Sequence, residues 1–169
     1  MHDFIFDTTV LSNLAAVGRL DLLEKRYRTV GLTTVEVSDE LRRGLQAGYR
    51  YLEVALQQIQ DISPGGWLRI VAPESPDEHQ LRGEFDLLLD PGEASCLALA
   101  ISRGLILATD DLAARQLAHE RNVPLTGTVG IMLALVRDGV LPLAEANAIL
   151  AEMIARRYRS PVDRLDELV

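Results

Sequence analysis

Five short apolar runs that do not alternate with polar residues constrain this chain more than any other feature. Asp3 to Asp7, Thr29 to Thr33, Trp67 to Ala72, Gly104 to Thr109 and Val123 to Thr126 each read as a strand buried on both faces. Between them lie patterns with helical spacing: Leu11 to Tyr27 (broken at Gly18), Thr34 to Ile59, Pro76 to Leu89, Gly92 to Arg103 and Asp111 to Arg121. Two more follow, Thr128 to Asp138 and Leu143 to Arg157. Alternation of this kind predicts an α/β fold with a central parallel sheet of about five strands, helices on both faces and right-handed crossovers. The turn Ser63-Pro64-Gly65-Gly66 is too short to separate domains, and one domain over residues 1–169 is expected.

In an open parallel sheet, functional groups gather beyond the carboxyl ends of the strands. Three acidic patterns fall where the fold would bring them to that rim. Phe4-Ile5-Phe6-Asp7-Thr8-Thr9 ends a buried run in a carboxylate, and Leu105-Ile106-Leu107-Ala108-Thr109-Asp110-Asp111 ends another in two. Gly92-Glu93-Ala94 sets an acid at the head of an apolar helix. A fourth acid, Glu40, borders the stripe made by Val37, Leu41 and Leu45. Carboxylates clustered without a matching lysine call for a hard divalent cation, Mg²⁺ or Mn²⁺. Each acid also has a purely structural explanation. Asp7 and Thr109 are placed to cap helices, Glu93 to close a capping box on Asp90, Asp110 and Asp111 to favour a helix dipole, and Glu40 to pair with Arg42 or Arg43.

The net charge of −8 argues at first against a nucleic-acid partner. Of the 17 basic residues, however, only Lys25 is a lysine, and arginine is the better bidentate partner for phosphate. Arg42, Arg43 and Arg50 form one basic cluster, and Arg156, Arg157 and Arg159 another. Cys96 is the only cysteine, so no disulfide joins two parts of the chain, which fits a reducing cytoplasm. Met1-His2-Asp3 carries no basic region ahead of the first apolar run, so a signal peptide is not expected there, and no run reaches the roughly 18 residues of a membrane span.

The order of the acids resembles that of the PIN-domain ribonucleases, and within them the VapC-like toxin branch and its close relatives. Asp7-Thr8-Thr9 looks like the opening Asp-Thr-Ser/Asn of that family, and Glu40-Leu41-Arg42-Arg43-Gly44 like its Glu-Leu-x-x-Gly segment. Glu93 at the head of an Ala-rich helix looks like the third acid, although Asp is also common there. Thr109-Asp110-Asp111 looks like its Thr-x-Asp, with Asp111 matching the family acid and Asp110 additional. Thr126-Gly127-Thr128-Val129-Gly130 resembles the Gly-Thr-x-Gly element of one subgroup.

The resemblance implies a metal-dependent endoribonuclease with Asp7, Glu40, Glu93 and Asp111 as catalytic carboxylates. Asp110 would join them around the metal, while Thr9 and Thr109 would support a metal-bound water or the phosphate. Arg42 and Arg43 would contact RNA. It also implies a small antitoxin that covers the acidic pocket, and a homodimer. Only one of the adjacent Asp110 and Asp111 is expected to be a direct ligand, because neighbours leaving a strand point in different directions. Two other classes compete with this reading. A Mg²⁺-dependent phosphoacceptor or phosphatase would need a lysine by the phosphate, and a non-catalytic PIN-like module would bind without cleaving. The apolar stripe Leu143, Ala146, Ile149, Leu150 and Met153 is expected to pack within the chain.

Overall fold

The computed structural model describes residues 2–169; of the opening Met1-His2-Asp3, Met1 lies outside them. Five strands form one all-parallel sheet: β1 (Phe4–Phe6), β2 (Gly31–Thr34), β3 (Arg69–Val71), β4 (Ile106–Ala108) and β5 (Leu125–Thr126), in the order β3-β2-β1-β4-β5. Helices flank it in a three-layer α/β/α arrangement. They are α1 (Thr8–Ala16), α2 (Asp21–Tyr27), α3 (Val35–Gln46), α4 (Leu52–Gln57), α5 (Pro76–Phe85), α6 (Pro91–Arg103), α7 (Leu112–Glu120), α8 (Thr128–Arg137) and α9 (Leu143–Ala155).

The expected strands are all present, four of them trimmed to a shorter core, while β2 starts two residues later than expected and runs one residue further, to Thr34, which pairs with Val71. One expected helix is two. The pattern from Thr34 to Ile59 keeps its period across Ala47 to Tyr51, yet Gly48 stands at φ +107°, outside any right-handed helix. The chain turns there and sends α4 back against α3. The break expected at Gly18 separates α1 from α2.

The sheet core centres on Phe6, whose ring meets Tyr27 edge-on at 5.3 Å and Trp67 at 6.2 Å between centroids. Behind it runs α6, with Ala94 to Ala100 wholly buried. A helix apolar on every side belongs in an interior. Its start is fixed by Asp90 and Pro91, its end by Gly104 in the left-handed conformation. Strand order reverses between β1 and β4, so loops leaving these two strands diverge and open a crevice at their carboxyl ends. Among the described residues no helix is long and apolar enough to cross a membrane. The apolar stripe of α9 faces inward, with Ala146, Ile149, Leu150 and Met153 all buried.

Candidate active site

Asp7 leaves β1 at that crevice and is fully buried. Its carboxylate caps α1, accepting from Val10 N at 3.2 Å, from the Thr9 hydroxyl at 2.7 Å and from the Thr109 hydroxyl. A carboxylate offers about four lone-pair sites, so one remains free. Burial pushes this carboxyl up to about 7, against three hydrogen bonds that pull it down; the nearby Asp110 adds to the rise.

Glu93 enters from the first turn of α6. It accepts from the Asp90 amide at 3.3 Å, as the capping-box reading expects. Its carboxyl is also pushed up to about 7, by burial first and then by Asp111 and Asp7. The helix-cap role and the site role are therefore held by one side chain. Asp111 caps α7 and accepts from Ala114 N through Oδ1 at 2.8 Å, which leaves Oδ2 without a partner among the described residues. Its own amide donates to the Thr109 hydroxyl at 3.1 Å.

Glu40 reaches the same rim from α3. One oxygen accepts from the Gly92 amide at 2.8 Å, the other from the Thr8 hydroxyl. Arg42, which sequence had offered as its surface partner, pairs instead with Asp39 at 3.2 Å. Arg42 and Arg43 lie exposed on α3. Thr9 and Thr109 each give their single hydroxyl proton to Asp7, so they orient that carboxylate and have no proton left for a phosphate.

Asp110 differs from the other four. Oδ1 accepts from Thr128 N at 2.8 Å and from the Tyr158 hydroxyl at 3.3 Å. Oδ2 accepts from Asn13 Nδ2 at 2.9 Å and from the Thr128 hydroxyl. All of its lone-pair sites are engaged by this chain. Asp110 therefore braces α1, α8 and the tail after α9 instead of facing the crevice with an open oxygen.

Thr8, Gly92, Asn13, Thr128 and Tyr158 were not singled out from sequence as parts of the site. Thr8 and Gly92 stood inside recognised motifs, but their roles depend on Glu40 arriving from a distant helix. Tyr158 carried no local signal.

None of Asp7, Glu40, Glu93, Asp110 or Asp111 takes part in an ion pair among the described residues. Nor are any three His, Cys, Asp or Glu side chains there already spaced to grip one ion. A divalent cation fits the site nonetheless. The donors are hard oxygens, Asp7 is raised in part by Asp110 and Glu93 in part by Asp111 and Asp7, and no basic side chain among the described residues pairs with them. Mg²⁺ in particular is held by one or two carboxylates and keeps the rest of its shell for water and phosphate oxygens.

A family model described as a PIN domain matches residues 3–169. Comparison with curated proteins finds no match. Among solved structures, PAE2754 from Pyrobaculum aerophilum is similar in fold, with a TM-score of 0.52 and 18% identity, covering 83% of this chain and 98% of that one. The chain belongs to the PIN-domain family, whose members are generally nucleases that use divalent metals.

Proposed function

We propose that this chain is a Mg²⁺- or Mn²⁺-dependent endoribonuclease that hydrolyses RNA phosphodiester bonds. The observation that carries the reading is the buried, uncompensated Asp7 beside Glu93 at the β1/β4 crevice. Asp7, Glu93 and Asp111 would hold the cation, with Glu40 beside them, held by the Gly92 amide and the Thr8 hydroxyl. Such an ion, when bound, lowers the pKa of water and offsets charge on the phosphoryl oxygens. The chain's own residues do the positioning. Thr9 and Thr109 fix the Asp7 carboxylate, Thr8 and the Gly92 amide fix Glu40, and Asp110 locks the loop that carries Asp111. No histidine is called on: His2, His79 and His119 are exposed and make no hydrogen bond at the site.

The phosphatase-like alternative is weakened by Lys25, which sits exposed on α2 and pairs with Asp21 at 2.9 Å. By resemblance to the VapC-like branch, we read the protein as the toxin of a toxin–antitoxin pair, acting in the cytoplasm as a homodimer. A cleft of about 380 Å³ runs from Glu93 and Asp111 to the exposed Leu87 and Leu88, an acidic and apolar surface suited to cover by a small antitoxin. The decisive experiment is a Mg²⁺ and Mn²⁺ titration of cleavage over an RNA panel. Activity lost in EDTA and restored by Mn²⁺, with 5′-phosphate products, supports the reading; activity that survives EDTA overturns it. Growth arrest on expression, absent for Asp7→Asn, tests the toxin role.

A further inference from the structure

The segment after α9 does more than close the fold. Arg157 has φ +75°, the left-handed conformation that favours glycine at a helix stop. The turn is fully bonded: Arg157 N donates to the Ile154 carbonyl at 2.9 Å, and Tyr158 N to the Met153 carbonyl at 3.0 Å. An arginine is therefore kept where a glycine would be easier. Tyr158 then anchors the strap to the site through its hydroxyl on Asp110.

The strap stands between two clefts. One, of about 330 Å³, lies against Thr8 and Thr9 beside Asp7. The other, of about 440 Å³, has an apolar floor of Leu125, Val129 and Leu133. Tyr158 and Arg159 line both. The wall of the second cleft is stiff, because Arg115 donates to the Thr109 carbonyl at 2.9 Å and the Thr126 carbonyl at 3.3 Å. Arg157 and Arg159 are exposed and stand in no ion pair among the described residues, whereas their neighbour Arg156 pairs with Glu152 at 3.3 Å. In a chain of net charge −8, two unpaired guanidiniums beside the carboxylate rim are available for phosphate.

We propose that Arg157, Tyr158 and Arg159 form a positioning strap for single-stranded RNA. The two guanidiniums hold phosphates next to the scissile one, and an unstacked base enters the cleft over Leu125, Val129 and Leu133. This rests on the nuclease reading above and adds which residues outside the carboxylate rim hold the substrate. A base has apolar faces and a polar edge, which suits a cleft lined by Leu125, Val129 and Leu133 together with Tyr158 and Arg159. A base held in a duplex must first be unpaired and unstacked to enter, a cost that disfavours the duplex.

The test compares the wild-type chain with Arg157→Gly and with the Arg157→Gly/Arg159→Gln double variant. Anisotropy of a labelled single-stranded RNA and of a hairpin duplex is read in EDTA, across a salt series. Mn²⁺ binding alone, melting temperature and cleavage kinetics are read in parallel. Arg157→Gly relieves the left-handed strain and should melt no lower than wild type. Each lost guanidinium–phosphate contact should weaken single-strand binding on the order of tenfold and flatten the log–log salt slope by roughly 0.7. KM should rise with kcat unchanged, and Mn²⁺ affinity should hold. A double variant that binds RNA as wild type does overturns the strap, as does a wild-type chain that binds duplex as tightly as single strand. Strap-dependent RNA binding without Mn²⁺-dependent cleavage would sustain the strap and sink the nuclease reading. Cleavage unaffected by the double variant would do the reverse.

Discussion

The Gly92 amide donates to Glu40 at 2.8 Å, and the missing side chain at residue 92 is what lets that carboxylate lie against the head of α6. A Cβ there would stand 2.5 Å from one Glu40 oxygen and 2.8 Å from its carboxyl carbon. The flexible end of Glu40 would yield, not the helix. Gly92→Ala should therefore leave stability within about 1 kcal/mol, since Ala is the better helix residue. Cleavage should fall roughly 10- to 100-fold, as when a supporting contact of a metal site is lost. A thermal melt beside a fluorogenic RNA assay checks both; full activity would show that Glu40 is not needed where it lies.

Asp7→Asn keeps the cap of α1, because Asn caps as well as Asp, while removing the buried charge. Its loss of cleavage should exceed the roughly 100-fold typical of a supporting residue. The metal-free variant should melt at or above the wild-type temperature. A variant that melts as expected but cleaves near the wild-type rate would mean that Asp7 is only a helix cap.

The pH dependence has a definite sign. Asp7 and Glu93 bind protons more tightly folded, near pH 7, than their ordinary values of 3.8 and 4.5 allow. Their stabilising contribution is present in full below those ordinary values and is lost as pH rises through about 7. In EDTA the protein should melt higher at pH 5 than at pH 8, and Asp7→Asn should narrow the gap. Saturating Mn²⁺ should raise the pH 8 melt most. An EDTA melt that climbs steadily from pH 5 to pH 8 would contradict the burial of these charges.

Adjacent Asp110 and Asp111 should fail differently. Asp110→Asn sets an amide N–H₂ against donors from Asn13, Thr128 and Tyr158, and should cost about 1–3 kcal/mol. Asp111→Asn retains its cap on Ala114 and should be near neutral for folding, while Mn²⁺ affinity drops. Calorimetric Mn²⁺ titrations and denaturant melts of both variants separate the roles. Equal losses of Mn²⁺ affinity without a stability difference would erase the distinction.

The sequence by itself determined the five parallel strands, since short runs buried on both faces have few other homes, and it determined which acids end them. Asp7, Glu93 and the Asp110-Asp111 pair were legible because strand ends and helix starts carry local signatures. Tertiary structure decided what depends on residues far apart in the chain. Glu40 kept a helical period that placed it beside Arg42 and Arg43, and only the approach of α6 and α1 turns it to Gly92 and Thr8. The period of α3 likewise ran on past Gly48, because periodicity records which face is apolar and not where the backbone reverses. Asp110 and Asp111 look alike in sequence. Which has an open oxygen was settled by donors 97, 18 and 48 residues away, at Asn13, Thr128 and Tyr158. A hydrogen bond is satisfied by proximity in space, and local sequence carries no record of a partner the fold supplies later.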